Sequence, residues 1–113
     1  MIAQIRPAQL AQWLLSARAR GEPLVLDVRE PDELRRASIK ADGFDLKTIP
    51  MGLIPTRLNE LDPAQPVACL CHHGVRSLQV ASFLHARGFD HVVNIAGGIN
   101  AWSIELDPSI PRY

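Results

Sequence analysis

Seven consecutive residues, Cys71-His72-His73-Gly74-Val75-Arg76-Ser77, carry the side chains of this chain best suited to chemistry. They follow a short apolar run, Val67 to Leu70, and precede an amphipathic stretch from Ser77 to Arg87, an order that predicts strand, tight loop and helix. A cysteine at the end of such a strand faces free backbone N–H groups and the positive end of the helix dipole, and both favour the thiolate. The same N–H groups would bind an anion. We therefore predict a nucleophilic cysteine in an anion-binding loop, called here the Cys71 loop (Cys71–Ser77).

Metal binding is the first alternative, because four neighbouring residues are of metal-ligand type: Cys69, Cys71, His72 and His73. Adjacent side chains diverge, however, and the other two histidines, His85 and His91, stand alone in the sequence. We expect neither a metal nor a cofactor. Cys69, with apolar neighbours, is interpreted as a small buried core residue. We expect the thiols of Cys69 and Cys71 on opposite faces of one strand, and hence two free thiols in a reducing compartment.

The spacing between Cys71 and Arg76 distinguishes two kinds of chemistry. Cysteine phosphatases also place a nucleophilic cysteine and an arginine in a strand–loop–helix, but with five residues between them. Here four residues intervene, from His72 to Val75. The shorter ring suits a sulfur atom or a thiosulfonate better than a phosphate tetrahedron, which disfavours a phosphatase- or arsenate-reductase-like enzyme.

The elements that must position this loop alternate along the chain. Apolar runs predict buried strands at Leu24–Leu26, Val67–Leu70 and Val92–Ile95, and helical spacing predicts the helices between and around them: Pro7–Arg20, Pro31–Arg36, Ser77–Arg87 and Ile99–Ile104. Such alternation predicts an α/β fold with a mainly parallel sheet, in which ligands bind outside the carboxyl ends of the strands. Three marked segments follow strands and should meet at that edge: Asp27 to Glu30, the Cys71 loop, and Gly97-Gly98.

Two segments are less regular. Between Ala37 and Pro50, partial alternation predicts a strand near Leu46–Ile49, and the tight-turn pair Asp42-Gly43 allows a small hairpin before it. The segment from Asp107 to Tyr113 is too rich in proline to be helical.

Bulk properties limit the classes of function. At 113 residues the chain is expected to be a single domain, 1–113, and 47% hydrophobic residues are typical of a globular protein. Twelve basic and twelve acidic side chains cancel, so no overall field would attract nucleic acid or an anionic membrane. No apolar run approaches the roughly 20 residues of a membrane helix. We expect a soluble, cytoplasmic protein that binds neither nucleic acid nor membrane. The sequence makes no prediction of its oligomeric state.

Three motifs in register resemble the rhodanese family of sulfurtransferases. Cys71 to Ser77 is similar to its active-site loop, Asp27-Val28-Arg29-Glu30-Pro31 to its aspartate-arginine-glutamate strand end, and Gly97-Gly98-Ile99-Asn100-Ala101-Trp102 to its glycine-glycine-alanine-tryptophan signature. Ile49-Pro50 is similar to the close of a looser motif. The segment from Ala37 to Phe44 departs from the family pattern and holds extra residues.

The resemblance implies a three-layer α/β fold: a central five-stranded parallel sheet with helices on both faces. It implies transfer of sulfane sulfur from thiosulfate, or a similar donor, to a thiophilic acceptor such as cyanide, a thiol or an acceptor protein. Cys71 would be the catalytic nucleophile and carry a persulfide. The donor would be bound by the loop residues: His72, His73, Gly74, Val75, Arg76 and Ser77. Asp27 and Arg29 would be structural supports.

Two functional hypotheses stand beside each other. The first is a thiosulfate:cyanide-type sulfurtransferase, a rhodanese, that works through a Cys71 persulfide. The alternative is a sulfur-carrier or binding module that receives a persulfide from a partner protein and passes it on.

Overall fold

The carboxyl ends of all strands meet at one edge of the sheet. In the computed structural model, which describes residues 2–113, the strands pair in parallel in the order β1-β5-β4-β2-β3. They are β1 (Ala3–Ile5), β2 (Leu24–Asp27), β3 (Asp45–Thr48), β4 (Val67–Leu70) and β5 (Val92–Ile95). The helices are α1 (Leu10–Ala17), α2 (Pro31–Arg36), α3 (Val75–Ala86) and α4 (Gly98–Glu105). Short 3-10 turns lie at Pro7–Gln9, Met51–Leu53 and Leu58–Glu60.

Apolar side chains cover both faces of the sheet, which makes three layers. On one face, Leu24, Leu26 and Val67 pack against the apolar side of α3. On the other face, Val25, Ala68 and Leu70 pack against α1 and α4. Every residue of β2 and β4 is buried, as expected for inner strands of a parallel sheet. The predicted α/β fold with a five-stranded parallel sheet is confirmed.

The register of the inner strands brings the marked segments level with each other. Asp27 lies opposite Leu70 in the β2–β4 pair, and Cys69 lies opposite Asn94 in the β4–β5 pair. The residues after β2, β4 and β5 therefore leave the sheet side by side. This places the Asp27–Pro31 segment, the Cys71 loop and Gly97-Gly98 at one edge.

Two expectations need correction, and one strand was not predicted. The segment before β3 is not a hairpin, because β3 pairs in parallel with β2 and the turn at Gly43 only redirects the chain. β1 was not predicted, because its three residues are exposed or half-buried and carry no apolar run. Cys69 and Cys71 do not point to opposite faces. Side chains two apart on a strand share a face, and both thiols lie free in the same core cluster.

None of the helices within residues 2–113 is both long and apolar enough to cross a bilayer. The 107–113 segment contains no helix and packs back onto the domain, with Ile110 buried in the α1–α4 core.

Candidate active site

Cys71 lies at the first position after β4, where the chain turns into α3. The turn depends on Gly74, which has φ +97° and directly precedes α3. A side chain at this position would be strained, and its Cβ would lie 3.0 Å from the backbone nitrogen of Gly97. The glycine therefore allows the loop to approach the backbone that follows β5.

Three hydrogen-bond donors converge on the sulfur of Cys71. The backbone N–H groups of Gly74 and Ser77 lie 3.1 and 3.3 Å from Sγ, and Ser77 Oγ lies 3.2 Å away. N–H groups fixed by the turn and the first turn of a helix stabilise negative charge on an atom at their focus without reorganising. These donors meet a sulfur that is shielded from solvent, because Cys71 is only 1% exposed.

The carbonyl groups of the same loop point the other way, toward α4. Ile99 N donates to Cys71 O at 2.9 Å, and Asn100 N donates to His72 O at 3.2 Å. Gly98 makes this contact possible, because a Cβ there would overlap the backbone of Cys71 and His72. The glycine pair after β5 thus allows α4 to fix the Cys71–His72 and His72–His73 peptide groups, which lead into the turn at Gly74.

Asn94 of β5 forms hydrogen bonds to the Cys71 loop, and sequence analysis did not identify it as a site residue. Its Nδ2 donates to Gly74 O and to Gln4 Oε1, each at 3.0 Å. Its Oδ1 lies 2.5 Å from Ser77 Oγ, and Asn94 is fully buried. A polar residue in the middle of a buried strand was the available signal for this role.

Asp27 and Arg29 form a buried ion pair beside the loop. Arg29 Nη2 and Nε donate to the Asp27 carboxylate at 2.8 and 3.0 Å, and both residues are essentially inaccessible to solvent. Arg29 Nη1 donates further to Tyr113 Oη at 3.0 Å. The two buried charges neutralise each other, and their hydrogen bonds hold the end of β2 in place beside the Cys71 loop.

Arg76 points to Glu33 of α2. Its Nη1 and Nη2 donate to Glu33 Oε1 and Oε2 at 2.6 and 2.8 Å. The Arg76 guanidinium is the main reason that the pKa of Glu33 falls to about 2, and the carboxylate in turn raises the pKa of Arg76. Sequence analysis missed Glu33, since only the fold brings residues 33 and 76 together.

The two loop histidines and Tyr113 form an aromatic stack. The ring of His72 lies 3.9 Å from that of Tyr113, at an interplanar angle of 9°, and also 3.9 Å from that of His73. Burial and the neighbouring His73 lower the pKa of His72, which favours the neutral form of its imidazole. Val75, by contrast, is 67% exposed at the start of α3.

Cys69 differs sharply from Cys71. It is fully buried, and burial, with a further effect of Cys71, raises the pKa of its thiol. The interpretation of Cys69 as a core residue agrees with this environment. Within residues 2–113, no group of three histidine, cysteine or acidic side chains is placed to hold a metal ion.

The fold and the site together define a class of protein. It is an α/β domain in which a cysteine lies between a parallel strand and a helix, with two backbone N–H groups directed at its sulfur. Residues 10–105 match the family model described as the rhodanese-like domain. The chain belongs to the rhodanese-like family, and sequence analysis identified that family correctly.

Similar proteins agree with this assignment. A sulfurtransferase of Allochromatium vinosum is 33% identical over 103 residues, covering 91% of this chain and 90% of that protein. A rhodanese-like/PpiC domain-containing chloroplast protein of Arabidopsis thaliana is 43% identical over 96 residues, and the match covers 81% of this chain but only 31% of that protein. The solved structure of a rhodanese-like domain protein from Staphylococcus aureus covers 99% of both chains, with a TM-score of 0.76 and 29% identity. Membership of this family supports sulfurtransferase-type activity.

Proposed function

We propose that this protein is a sulfurtransferase that moves sulfane sulfur, from thiosulfate or a similar donor to a thiophilic acceptor, through a persulfide on Cys71. The observation that carries the proposal is the convergence of Gly74 N, Ser77 N and Ser77 Oγ on the sulfur of Cys71. A persulfide anion held there would replace the thiolate as acceptor of the same donors.

The transfer proceeds in two half-reactions. The Cys71 thiolate attacks the outer sulfur of the donor, forming a new S–S bond while the donor's own S–S bond breaks, and its electron pair leaves with sulfite when thiosulfate is the donor. The acceptor, cyanide or a thiolate, then attacks the outer sulfur of the persulfide and releases the Cys71 thiolate. No net oxidant is required, and the mechanism is ping-pong.

Roles for the surrounding residues follow from their positions. The loop from His72 to Ser77 binds the transferred sulfur, and Asp27 and Arg29 hold the adjacent strand end. Arg76 is the arginine of the loop that would contact an anionic donor. No metal or cofactor enters this scheme. Two free thiols suit a reducing, cytoplasmic compartment.

A sulfur-carrier module is the second candidate, and one observation favours it. In the A. thaliana relative the matching domain is a minor part of a longer protein, so such a domain can work beside other domains. In a carrier, persulfide delivered by a partner protein would load Cys71 efficiently, while turnover with small donors would be poor.

One assay separates these candidates. We expect thiosulfate-to-cyanide transfer, with a stoichiometric gain of one sulfur atom on Cys71 by mass spectrometry. Cys71→Ser should abolish both signals, whereas the matched control Cys69→Ser should retain them. Equal loss in both variants would refute the assignment of Cys71. Activity toward an aryl phosphate with none toward any sulfane donor would refute sulfur transfer itself.

A further inference from the structure

Arg76, the residue that sequence analysis assigns to the donor, already has an anionic partner in the fold. Its two terminal nitrogens reach the two carboxylate oxygens of Glu33 at 2.6 and 2.8 Å. This bidentate geometry is the one an arginine uses to hold an anion. An anionic donor must therefore compete with Glu33 for Arg76.

Glu33 is held firmly in this position. Besides the two bonds from Arg76, Oε1 accepts from Glu30 N at 3.0 Å and Oε2 accepts from Tyr113 Oη at 2.8 Å. Each oxygen thus has two donors, and the Glu33 side chain is only 14% exposed. A partner fixed in the same molecule has a high effective concentration, on the order of millimolar even for a flexible tether. A dissolved anion would displace it only at substantial cost.

Glu33 neutralises Arg76, and the neighbouring Arg29 and His72 do not supply a free positive charge in its place. Arg29, the second guanidinium of this network, is paired with Asp27 at 2.8 Å. The pKa of His72 is lowered, chiefly by burial, which favours its neutral form. Two ion pairs with no net charge therefore flank the Cys71 loop.

We infer that Glu33 is a specificity-determining residue, which makes the site favour persulfides of small thiols over the thiosulfate dianion. The inference rests on the proposed function. With a persulfide anion, the Cys71 thiolate attacks the outer sulfur, the donor S–S bond breaks, and a thiolate leaves. Two negative charges pass through that transition state. Thiosulfate brings a third negative charge, and its sulfite leaving group would need the cation that Glu33 occupies.

The test compares single-turnover loading of Cys71 by the persulfide of 2-mercaptoethanol, whose only charge is that of the persulfide, and by thiosulfate. The wild-type protein should load faster from the persulfide. Glu33→Gln removes the charge but keeps a hydrogen-bonding side chain, and it should raise the thiosulfate rate at least about tenfold while changing the persulfide rate less than about threefold. The matched control is Glu60→Gln, which makes the same change in the exposed Arg57–Glu60 pair. It should leave both rates unchanged.

A second arm measures charge selection without any sulfur transfer. Cys71 is alkylated with neutral iodoacetamide or anionic iodoacetate, and the modified peptide is quantified by mass spectrometry. The ratio of the two rates should favour iodoacetamide in the wild type and shift toward iodoacetate in Glu33→Gln. If Glu33→Gln does not fold, Tyr113→Phe removes one bond to the carboxylate and should shift both ratios in the same direction, by about two- to threefold.

The outcomes separate the inference from the proposed function. Wild-type protein that loads equally well from both donors, with ratios unchanged in Glu33→Gln, would overturn the inference and leave sulfur transfer intact. Failure of every sulfane donor to load Cys71 would overturn the proposed function, and the alkylation ratio would still report on Glu33. In the wild type, rising ionic strength should accelerate loading by thiosulfate, and a deceleration would contradict the role of Glu33.

Discussion

Asn94 fixes the hydroxyl group of Ser77: Oδ1 of the asparagine lies 2.5 Å from Oγ of the serine. The Asn94 amide has one orientation, because Nδ2 already donates to the carbonyl of Gly74 and to Gln4. Ser77 Oγ also lies 3.2 Å from Cys71 Sγ, so a single hydroxyl proton serves two acceptors. Asn94 and the Cys71 sulfur therefore compete for this proton, and any share that the sulfur receives adds to the two backbone N–H donors.

Ser77→Ala should therefore slow sulfur loading of Cys71 by about tenfold, because one of three donors to the sulfur is lost. Ser103→Ala is the matched control. Ser103 is also a buried helical serine, and its hydroxyl donates to Ile110 O at 2.6 Å, far along the chain from Cys71. Each variant should lose about 1–2 kcal/mol of unfolding free energy in urea. Equal loading rates in the two variants would show that the Ser77 hydroxyl has no part in the chemistry.

Gly98→Ala should disrupt the site and the fold together. The added Cβ would overlap the carbonyl oxygens of Cys71 and His72, and φ at this position is +59°. We expect a loss of at least about 2 kcal/mol in unfolding free energy, with strongly reduced Cys71 loading. Gly52→Ala is the control, since a Cβ there meets no atom within 4 Å. A Gly98→Ala protein as stable as Gly52→Ala would mean that α4 does not pack this closely on the loop.

Acid should weaken the fold through Glu33. Its pKa is lowered from 4.5 to about 2, chiefly by Arg76, so the folded state favours the ionised carboxylate. The resulting stabilisation, about 1–3 kcal/mol, is fully present above pH 4.5 and disappears as the pH falls toward 2.

Urea unfolding at several pH values should show this directly. The difference in unfolding free energy between wild type and Glu33→Gln should shrink progressively below pH 4.5. A difference that stays constant from pH 6 to pH 2 would contradict the coupling between Glu33 and Arg76.

Arg29→Met should be strongly destabilising, because it leaves the Asp27 carboxylate buried without its partner. We expect a loss of about 3–5 kcal/mol by urea denaturation, and partial recovery when Asp27→Asn is added. Arg57→Met, in the exposed pair with Glu60, should leave the midpoint of urea denaturation almost unchanged, because solvent screens that pair. Similar losses in the two single variants would contradict the structural role of the buried pair.

The sequence was informative wherever short-range patterns decide the structure. The apolar runs at Val67–Leu70 and Val92–Ile95 correspond to β4 and β5. Pro31, followed by Asp32 and Glu33, begins α2 as predicted. The motif residues Asp27, Cys71 and Gly98 also meet at the predicted edge, because the carboxyl ends of parallel strands lie together.

What the sequence could not show depends on contacts between distant residues. The partner of Arg76 lies 43 positions away on another element, and Tyr113 contacts Arg29 across 84 positions. The Asp42-Gly43 pair resembles a hairpin turn locally, but β3 pairs in parallel with buried β2, and the preceding segment packs Ala37, Ile39 and Phe44 into the core instead. The polar side chain of Asn94 in an apolar run indicated that it has a buried partner, but only the fold shows that its partners are Gly74, Ser77 and Gln4.

The two bonds from Ile99 N and Asn100 N to the carbonyls of Cys71 and His72 also make the start of the Cys71 loop depend on residues that come much later in the chain. During synthesis, these two carbonyls lack their partners until Asn100 has left the ribosome. The loop can therefore reach its final arrangement only after the first turn of α4 has been made.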